Sequence, residues 1–142
     1  MIVIDTNVIS ELWKIEPDSN VLAWIDAQAL ETLYLSAVTV AELRYGLAMM
    51  PEGKRRSTYQ QRLEHEVLPL FSNRVLAFDL EASNTYAELM AQARAAGRSI
   101  AMADGYIAAI AATHDFMVAT RDIRPFEALR MTVINPWKVK AG

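Results

Sequence analysis

Short runs of β-branched and apolar residues alternate with longer helical segments along the whole of this 142-residue chain. The runs predict five strands, at residues 2–4, 33–36, 74–78, 116–120 and 132–134. Strands separated by helices are joined by right-handed crossovers, which produce a mostly parallel sheet with helices on both faces. The sequence therefore predicts one α/β domain over residues 1–142.

Apolar periodicity, capping residues and helix breakers predict six helices between these strands. They cover residues 6–13, 19–29, 38–50, 54–68, 80–96 and 100–113. Asp18 or Ser19 is suited to cap the second helix, and Pro69 is expected to end the fourth. Gly97 is placed to end the fifth helix as a C′ glycine.

The composition narrows the class of protein before any motif is considered. Apolar residues make up 53% of the chain and charged residues 22%, which is typical of a globular domain. No uncharged apolar run approaches the roughly 18 residues that a membrane span needs, and the N-terminus lacks the basic segment of a signal peptide. The chain has no cysteine, which excludes disulfides and thiolate chemistry. The cytoplasm is the expected location.

Two aspartates directly follow predicted strands. Asp5 follows the first strand and Asp122 lies just beyond the fourth. Ligands of parallel α/β sheets bind beyond the carboxyl ends of the strands, so both residues are candidates for a functional site. For each residue alone, a role as a helix N-cap or turn aspartate is an equally good interpretation.

Two further acids lie within apolar helical segments. Glu42 shares a helical stripe with Val38, Tyr45 and Met49, and the stripe predicts that the glutamate is buried. Asp104 is the only charged residue in the segment 100–112, which is apolar nearly all round. A buried ion pair is the alternative interpretation, but no Lys or Arg lies within a helical turn of Asp104.

Four acids that converge without nearby cations repel one another, and a divalent cation is the natural way to neutralise them. All-oxygen ligands of this kind suit Mg²⁺ or Mn²⁺. Such ions promote phosphodiester hydrolysis by activating water and stabilising the charge that develops on phosphate. The acids therefore indicate a metal-dependent hydrolase.

Four segments in order carry a resemblance to a known family: IDTNVISEL, TVAELRYGL, ADGYIAAIA and VATRDIRPFE. They resemble the PIN-domain ribonucleases, and most of all the VapC toxins of bacterial toxin–antitoxin operons in the subgroup similar to FitB. The resemblance covers essentially the whole chain. It implies a PIN-like three-layer α/β/α fold and an endoribonuclease, dependent on Mg²⁺ or Mn²⁺, that is the toxin of a type II pair.

The resemblance also implies a role for each matching residue. Asp5, Glu42 and Asp104 match the core acidic triad and Asp122 matches a fourth acidic position. Asp5 and Asp104 are then the primary metal ligands, with Glu42 and Asp122 at a second site or acting through water. The supporting polar positions are matched by Thr6, Asn7 and Thr120. Pro125 stands where many relatives have an acid or histidine, so the fourth role rests on Asp122 alone.

The formal net charge of −3 at first argues against a nucleic-acid partner. Without the four candidate acids, however, 13 acidic residues remain against 14 basic ones. Arg121 and Arg124, beside the predicted site, are candidate RNA contacts. The basic segment 54–56 is interpreted as a solvated helix start, and the three tryptophans as core or interface residues.

The resemblance further implies a small antitoxin as partner, for which the apolar segment 38–50 offers a docking surface, and we expect a homodimer or higher assembly. Two other functions stay open at this stage. One is a non-catalytic PIN-like interaction module. The other is a phosphatase of the haloacid-dehalogenase type, which also has an aspartate after its first strand but usually a second acid two residues later, where this chain has Asn7.

Overall fold

The computed structural model describes residues 1–139, so the last three residues of the predicted domain lie outside the described part. Its centre is a five-stranded sheet in which every pairing is parallel. The strands are β1 (Ile2–Ile4), β2 (Leu33–Ser36), β3 (Val75–Leu76), β4 (Met117–Ala119) and β5 (Val133–Ile134). The predicted strands are confirmed, although β3, β4 and β5 are each shorter than expected.

Helices connect the strands on both faces of the sheet. They are α1 (Thr6–Leu12), α2 (Ser19–Asp26), α3 (Ala37–Ala48), α4 (Lys54–Arg62), α5 (Leu68–Leu70), α6 (Leu80–Ala95), α7 (Met102–Thr113) and α8 (Arg124–Ala128). Two predicted capping residues are confirmed. Asp18 accepts hydrogen bonds from the first backbone N–H groups of α2. Gly97 has a φ of 75°, and its N–H and that of Arg98 bond back to the end of α6.

Two helical features differ from the prediction. The predicted helix over residues 54–68 widens into a π-helical turn at Leu63–Val67 and runs one residue past Pro69. Proline lacks the N–H that an α-helix requires, and a wider turn accommodates that loss. The short helix α8 was not predicted, because Pro125 and its neighbours carry little apolar periodicity.

Alternating side chains of β1 divide the core into two layers. Ile2 and Ile4 pack on one face with residues of α1, α2 and α3. Val3 packs on the other face with Ile107 of α7 and Phe126 of α8. Val3, Ile4 and Ile107 are completely buried, and each such side chain contributes about 1.5–3 kcal/mol by leaving water. The three-layer α/β/α architecture is thereby confirmed.

The order of the strands is β3-β2-β1-β4-β5, so the chain adds strands to one side of β1 and then crosses to the other. A reversal of this kind leaves a crevice at the carboxyl ends of the central strands, where open α/β sheets bind ligands. Asp5 follows β1 and Thr120 follows β4 at this point. None of the helices within residues 1–139 combines the length and apolarity that crossing a membrane requires.

Candidate functional site at the carboxyl edge of the sheet

Asp5 lies at the centre of the carboxyl edge and is 6% exposed. Its Oδ1 accepts a hydrogen bond of 2.8 Å from the backbone N–H of Thr6, so Asp5 does cap α1. Its Oδ2 accepts a hydrogen bond of 2.8 Å from the hydroxyl of Thr120. Burial, with smaller contributions from Glu42 and Asp122, raises the pKa of Asp5 despite these two bonds. Asp5 is therefore an N-cap residue, as the alternative interpretation held. That role alone does not explain why the fold buries a carboxylate whose charged form it disfavours.

Thr120 and Asn7 tie the ends of β1 and β4 together. The Asn7 amide donates to the Thr120 hydroxyl at 3.2 Å and accepts from the backbone N–H of Arg121 at 3.2 Å. Asn135 extends the network by donating to the Arg121 carbonyl at 3.2 Å. Thr120 is completely buried, so its hydroxyl has a fixed environment and a fixed orientation toward Asp5.

Glu42 faces solvent, contrary to the prediction that it is buried. The buried face of α3 is formed by Thr39, Val40, Leu43 and Leu47, and the stripe that contains Tyr45 and Met49 lies outside. Because α3 carries apolar residues on both faces, periodicity alone did not distinguish the inner face from the outer one. Glu42 is nevertheless oriented: its Oε1 accepts a hydrogen bond of 2.7 Å from the hydroxyl of Thr6.

Asp104 lies in the first turn of α7 and is half-buried, so the expectation of full burial was too strong. Its neighbour Gly105 fixes the approach of α6, since a Cβ there would lie 2.8 Å from the sulfur of Met90. Burial raises the pKa of Asp104 to about 6, with further contributions from the charges of Asp5, Glu42 and Asp122. The four candidate acids thus act on one another at this edge.

Asp122 and Arg124 are both exposed. Their side chains are 55% and 89% exposed, and the Arg124 Nε lies 3.4 Å from the Asp122 Oδ1. Asp122 contributes to the raised pKa values of Asp5 and Asp104, but it does not line the cleft that the other three acids border. It stands at the rim of the site.

The acids open onto a cleft of about 450 Å³, called here the acidic cleft. Its lining residues are Asp5, Thr6, Asn7, Ser10, Glu11, Lys14, Glu42, Asp104, Arg121 and Trp137. Sequence reasoning missed Ser10, Glu11 and Lys14. Together with Asn7 they follow the i, i+3, i+4, i+7 spacing of one helical face, and this polar face of α1 was the available signal.

Glu11 and Trp137 also line the acidic cleft. The Glu11 carboxylate is buried, lies 2.8 Å from the Lys14 Nζ and accepts a bond of 2.9 Å from the Asp18 N–H. The ion pair with Lys14 and the bond from Asp18 lower the pKa of Glu11. The Arg121 guanidinium lies 5.2 Å from the ring centre of Trp137, so this tryptophan lines the site and is not solely a core residue.

None of the three ion pairs within residues 1–139 includes Asp5, Glu42 or Asp104. The alternative of a buried ion pair for Asp104 is therefore not supported, and Arg44 pairs with Glu64 instead of Glu42. Over the same residues, no group of three or more His, Asp or Glu side chains is arranged to hold a metal ion as it stands. The donor set is all oxygen, as Mg²⁺ and Mn²⁺ require, but its members are held apart.

Comparison with known proteins identifies the family. The PIN domain family matches residues 2–130 of the chain. This chain belongs to the PIN-domain family. The PIN domain is 69% identical to the VapC ribonuclease Y4jK of Sinorhizobium fredii (strain NBRC 101917 / NGR234), over 97% of this chain and 99% of that protein. It is 49% identical to the toxin FitB of Neisseria gonorrhoeae (strain ATCC 700825 / FA 1090), over 96% and 99%.

A solved structure of FitAB bound to an IR36 DNA fragment contains a chain that superposes on this PIN domain with a TM-score of 0.95. The two chains are 46% identical, and the match covers 99% of each. The predicted PIN-like fold and the resemblance to VapC and FitB are both confirmed. Membership of the PIN-domain family leaves no support for the haloacid-dehalogenase alternative.

Proposed function

We propose that this PIN domain is a Mg²⁺- or Mn²⁺-dependent endoribonuclease and the toxin of a type II toxin–antitoxin pair. The names of the relatives, a VapC ribonuclease and the toxin FitB, support the nuclease and toxin assignments. The acidic cleft supports the chemistry, because it gathers carboxylates at the edge of the sheet where ligands bind. The RNA substrate and the metal are the parts of the proposal that go beyond family membership.

The observation that carries the proposal is the state of Asp104. It is half-buried, has no basic partner within residues 1–139, and has a pKa raised to about 6 by burial and by three other acids. A fold that needed only a buried acid for stability would give it a cation or hydrogen-bond donors. A site that binds a divalent cation instead keeps its carboxylates unneutralised by protein groups.

Asp5 and Asp104 are proposed as the primary metal ligands, with Glu42 and Asp122 at a second position or acting through water. A bound Mg²⁺ or Mn²⁺ supplies an activated water and stabilises the charge that develops on the phosphate. Besides burial, the charges of Glu42 and Asp122 raise the pKa values of Asp5 and Asp104, and a bound divalent cation would offset the repulsion behind this effect. The exposed position of Asp122 fits an indirect role.

Other residues of the chain prepare these acids for their task. Thr120 and the N–H of Thr6 each occupy one lone pair of the Asp5 carboxylate and fix its plane. The Thr6 hydroxyl holds Glu42 toward the cleft. Groups that orient ligands in this way usually matter nearly as much as the ligands. Arg121, at the wall of the cleft, and Arg124, at its rim, are proposed to contact RNA phosphates.

The proposed partner is a small antitoxin protein, by analogy with the FitAB complex. The outer face of α3 offers a docking surface, because Tyr45 and Met49 are 68% and 67% exposed there. Large exposed apolar side chains in one patch often mark an interaction site. We also propose a homodimer or a higher assembly, and the cytoplasm as the location.

A non-catalytic interaction module is the second candidate function. The observation that favours it is that no three acids are already arranged to hold a metal ion within residues 1–139. In this case the cleft would bind a partner without hydrolysis, and metal would leave the thermal stability of the protein unchanged.

The two functions differ in the effect of metal on RNA. Purified protein, freed of any copurified partner, would be incubated with total cellular RNA in Mg²⁺, in Mn²⁺ or in EDTA. We expect defined cleavage products with either metal and none in EDTA, and their ends would identify the RNA and the cleavage site. Intact RNA under all three conditions would support the non-catalytic module.

A further inference from the structure

A second groove adjoins the acidic cleft, and we propose that it binds the single-stranded RNA that extends beyond the cleavage site. The basic groove has a volume of about 660 Å³. Its lining residues are Trp13, Lys14, Ile15, Lys54, Arg55, Thr58, Tyr59 and Arg62. The proposal deepens the nuclease function proposed above and rests on it for the identity of the ligand.

All the charged side chains that line the groove are positive. Four of its eight lining residues are basic and none is acidic. Lys14 pairs with Glu11, whereas Lys54, Arg55 and Arg62 have no ion-pair partner among residues 1–139. Uncompensated cations along a groove are what a phosphate backbone requires, since each phosphate contact releases a bound counterion and strengthens binding.

The cations at the start of α4 are placed where they lower the stability of the helix. Lys54 and Arg55 lie in the first turn of α4, which begins after Gly53 without a side-chain cap. The N-terminus of a helix carries partial positive charge, so cations there are unfavourable and acids are preferred. Local choices that conflict with stability are expected at functional sites. The structure agrees with the predicted solvated helix start, since α4 begins at Lys54 and both Lys54 and Arg55 are exposed. The proposed groove adds a reason for cations at this position.

Tyr59 gives the groove an aromatic floor. Its ring is stacked on Trp13, with ring centres 6.1 Å apart and planes 17° from parallel. The guanidinium carbons of Arg55 and Arg62 lie 5.7 and 5.9 Å from the same ring centre. Unpaired bases stack on aromatic rings and on guanidinium planes, whichever base is present. Trp13 and the two guanidiniums already contact the Tyr59 ring, so an incoming base would stack on the guanidinium planes of Arg55 and Arg62, which belong to exposed side chains.

The basic groove and the acidic cleft are continuous. Lys14 lines both, and a third depression of about 510 Å³ between them shares Ser10 with the cleft and Tyr59 with the groove. A strand whose phosphate lies at the carboxylates thus has a direct path past Lys14 to the aromatic floor. The positive charge of the groove and its path to the carboxylates favour RNA as the occupant. The apolar side chains Ile15, Leu47 and Met50 of the connecting depression make a protein segment the alternative outcome of the test.

The test measures binding of a fluorescein-labelled single-stranded RNA of twelve nucleotides in EDTA, by anisotropy, over a range of salt concentrations. The variants are Arg55→Gln and Arg62→Gln, singly and together. Arg56→Gln is the matched control, since Arg56 lies on the same helix, loses the same charge and does not line the groove. Melting temperatures equal to that of the parent would show that all variants are folded.

Each lost phosphate contact is expected to reduce the slope of log K against log salt by about 0.7, which corresponds to an about fivefold loss of affinity near 0.1 M salt. The double variant should therefore bind about 25-fold more weakly, and Arg56→Gln within twofold of the parent. With metal, the double variant should raise KM for the twelve-nucleotide substrate and leave cleavage of a three-nucleotide substrate unchanged.

Two results would overturn the proposal. One is parental binding of the twelve-nucleotide RNA by the double variant, which would leave the groove to a protein partner. The other is an equal loss of RNA affinity in Arg56→Gln, which would show that the effect comes from net charge and not from the groove. If the parent cleaves no RNA with metal, the nuclease function fails, but the anisotropy measurement still tests the groove on its own.

Discussion

Two carboxylates border the acidic cleft in opposite electrostatic states. Glu11 is buried, ion-paired with Lys14 at 2.8 Å and bonded to a backbone N–H, and its pKa is lowered. Asp104 has no cation partner within residues 1–139, and its pKa is raised to about 6. The first acid stabilises the fold in its charged form, and the second destabilises it.

The opposite pKa shifts of Glu11 and Asp104 distinguish an acid that stabilises the fold from an acid proposed to act in catalysis. A lowered pKa means that folding favours the carboxylate, and a raised pKa means that folding favours the neutral acid. Glu11 therefore belongs to the scaffold that holds α1 and the loop before α2. Asp104 and Asp5 carry an unfavourable charge that, in the proposed function, a bound cation would neutralise.

The largest expected effect is on catalysis, in Asp104→Asn and Glu11→Gln. Asparagine is nearly isosteric with aspartate but lacks the charge that binds metal, so RNA cleavage should fall by about 10²–10³-fold or more. Glu11→Gln keeps the acceptor for the Asp18 N–H and should retain cleavage within about threefold at temperatures where it is folded. Initial rates with saturating Mg²⁺ would check both variants. A folded Asp104→Asn protein with parental activity would remove Asp104 from the site.

A smaller loss is expected when Asp5 keeps its charge but loses its orientation. Thr120→Val removes the hydroxyl that donates to Asp5 at 2.8 Å and preserves the shape of a fully buried side chain. Loss of such an orienting group usually lowers metal affinity or activity by about 10–100-fold. Titrations of the cleavage rate with Mg²⁺ would measure this loss. Thr120→Ser is the control, because serine keeps the hydroxyl and should restore activity. Equal activity in the Thr120→Val and Thr120→Ser variants would show that the hydrogen bond to Asp5 does not contribute to catalysis.

The pH dependence follows from the raised pKa of Asp104. At limiting Mg²⁺, cleavage should fall about tenfold per pH unit below pH 6, because protons compete with metal for the carboxylate. Excess Mg²⁺ should move this midpoint to lower pH. A raised pKa in the folded state also means that metal-free stability decreases as pH rises from about 4 through 6. A pH–rate profile independent of metal concentration would contradict this assignment.

The smallest effect is expected at the rim. Asp122 is 55% exposed, pairs with Arg124 at 3.4 Å and does not line the cleft. Solvent screens such an exposed charge, so Asp122→Asn should reduce cleavage by less than about tenfold. Complete loss of cleavage in a folded Asp122→Asn protein would show that this acid belongs with Asp5 and Asp104 and not at the rim.

Most of the fold could be predicted from the sequence, and three of the four candidate acids, Asp5, Glu42 and Asp104, lie along one cleft in the structure. Period-two runs and crossover helices predicted the parallel sheet, and Asp5 and Thr120 necessarily fall at its carboxyl edge. Burial was harder to predict, since α3 is apolar on both faces and the position of Glu42 depends on which face the sheet covers. Only packing decides that choice.

The cleft residues Glu11, Lys14 and Trp137 were missed for a different reason. Glu11 and Lys14 look like an ordinary helical ion pair in sequence, because they are three residues apart. Trp137 is more than 120 residues away, and only the pairing of β4 with β5 brings its segment to the cleft. The basic groove likewise requires residues 13–15, which follow α1, to meet α4, and no local pattern encodes this contact.

Thermal melting of the metal-free protein tests the central claim most directly, using the parent, Asp104→Asn and Glu11→Gln at pH 8 in EDTA. Asp104→Asn should melt about 2–5 °C higher, because the cost of burying a charge and the repulsion from the other acids are relieved, by roughly 1 kcal/mol after solvent screening. Glu11→Gln should melt about 2–5 °C lower, because the buried Glu11 carboxylate loses its ion pair with Lys14, whose side chain is 58% exposed. Millimolar Mg²⁺ should then stabilise the parent and Glu11→Gln, but Asp104→Asn much less. If Asp104→Asn melts below the parent in EDTA and metal shifts none of the three proteins, the acids are structural and the metal-dependent nuclease is wrong.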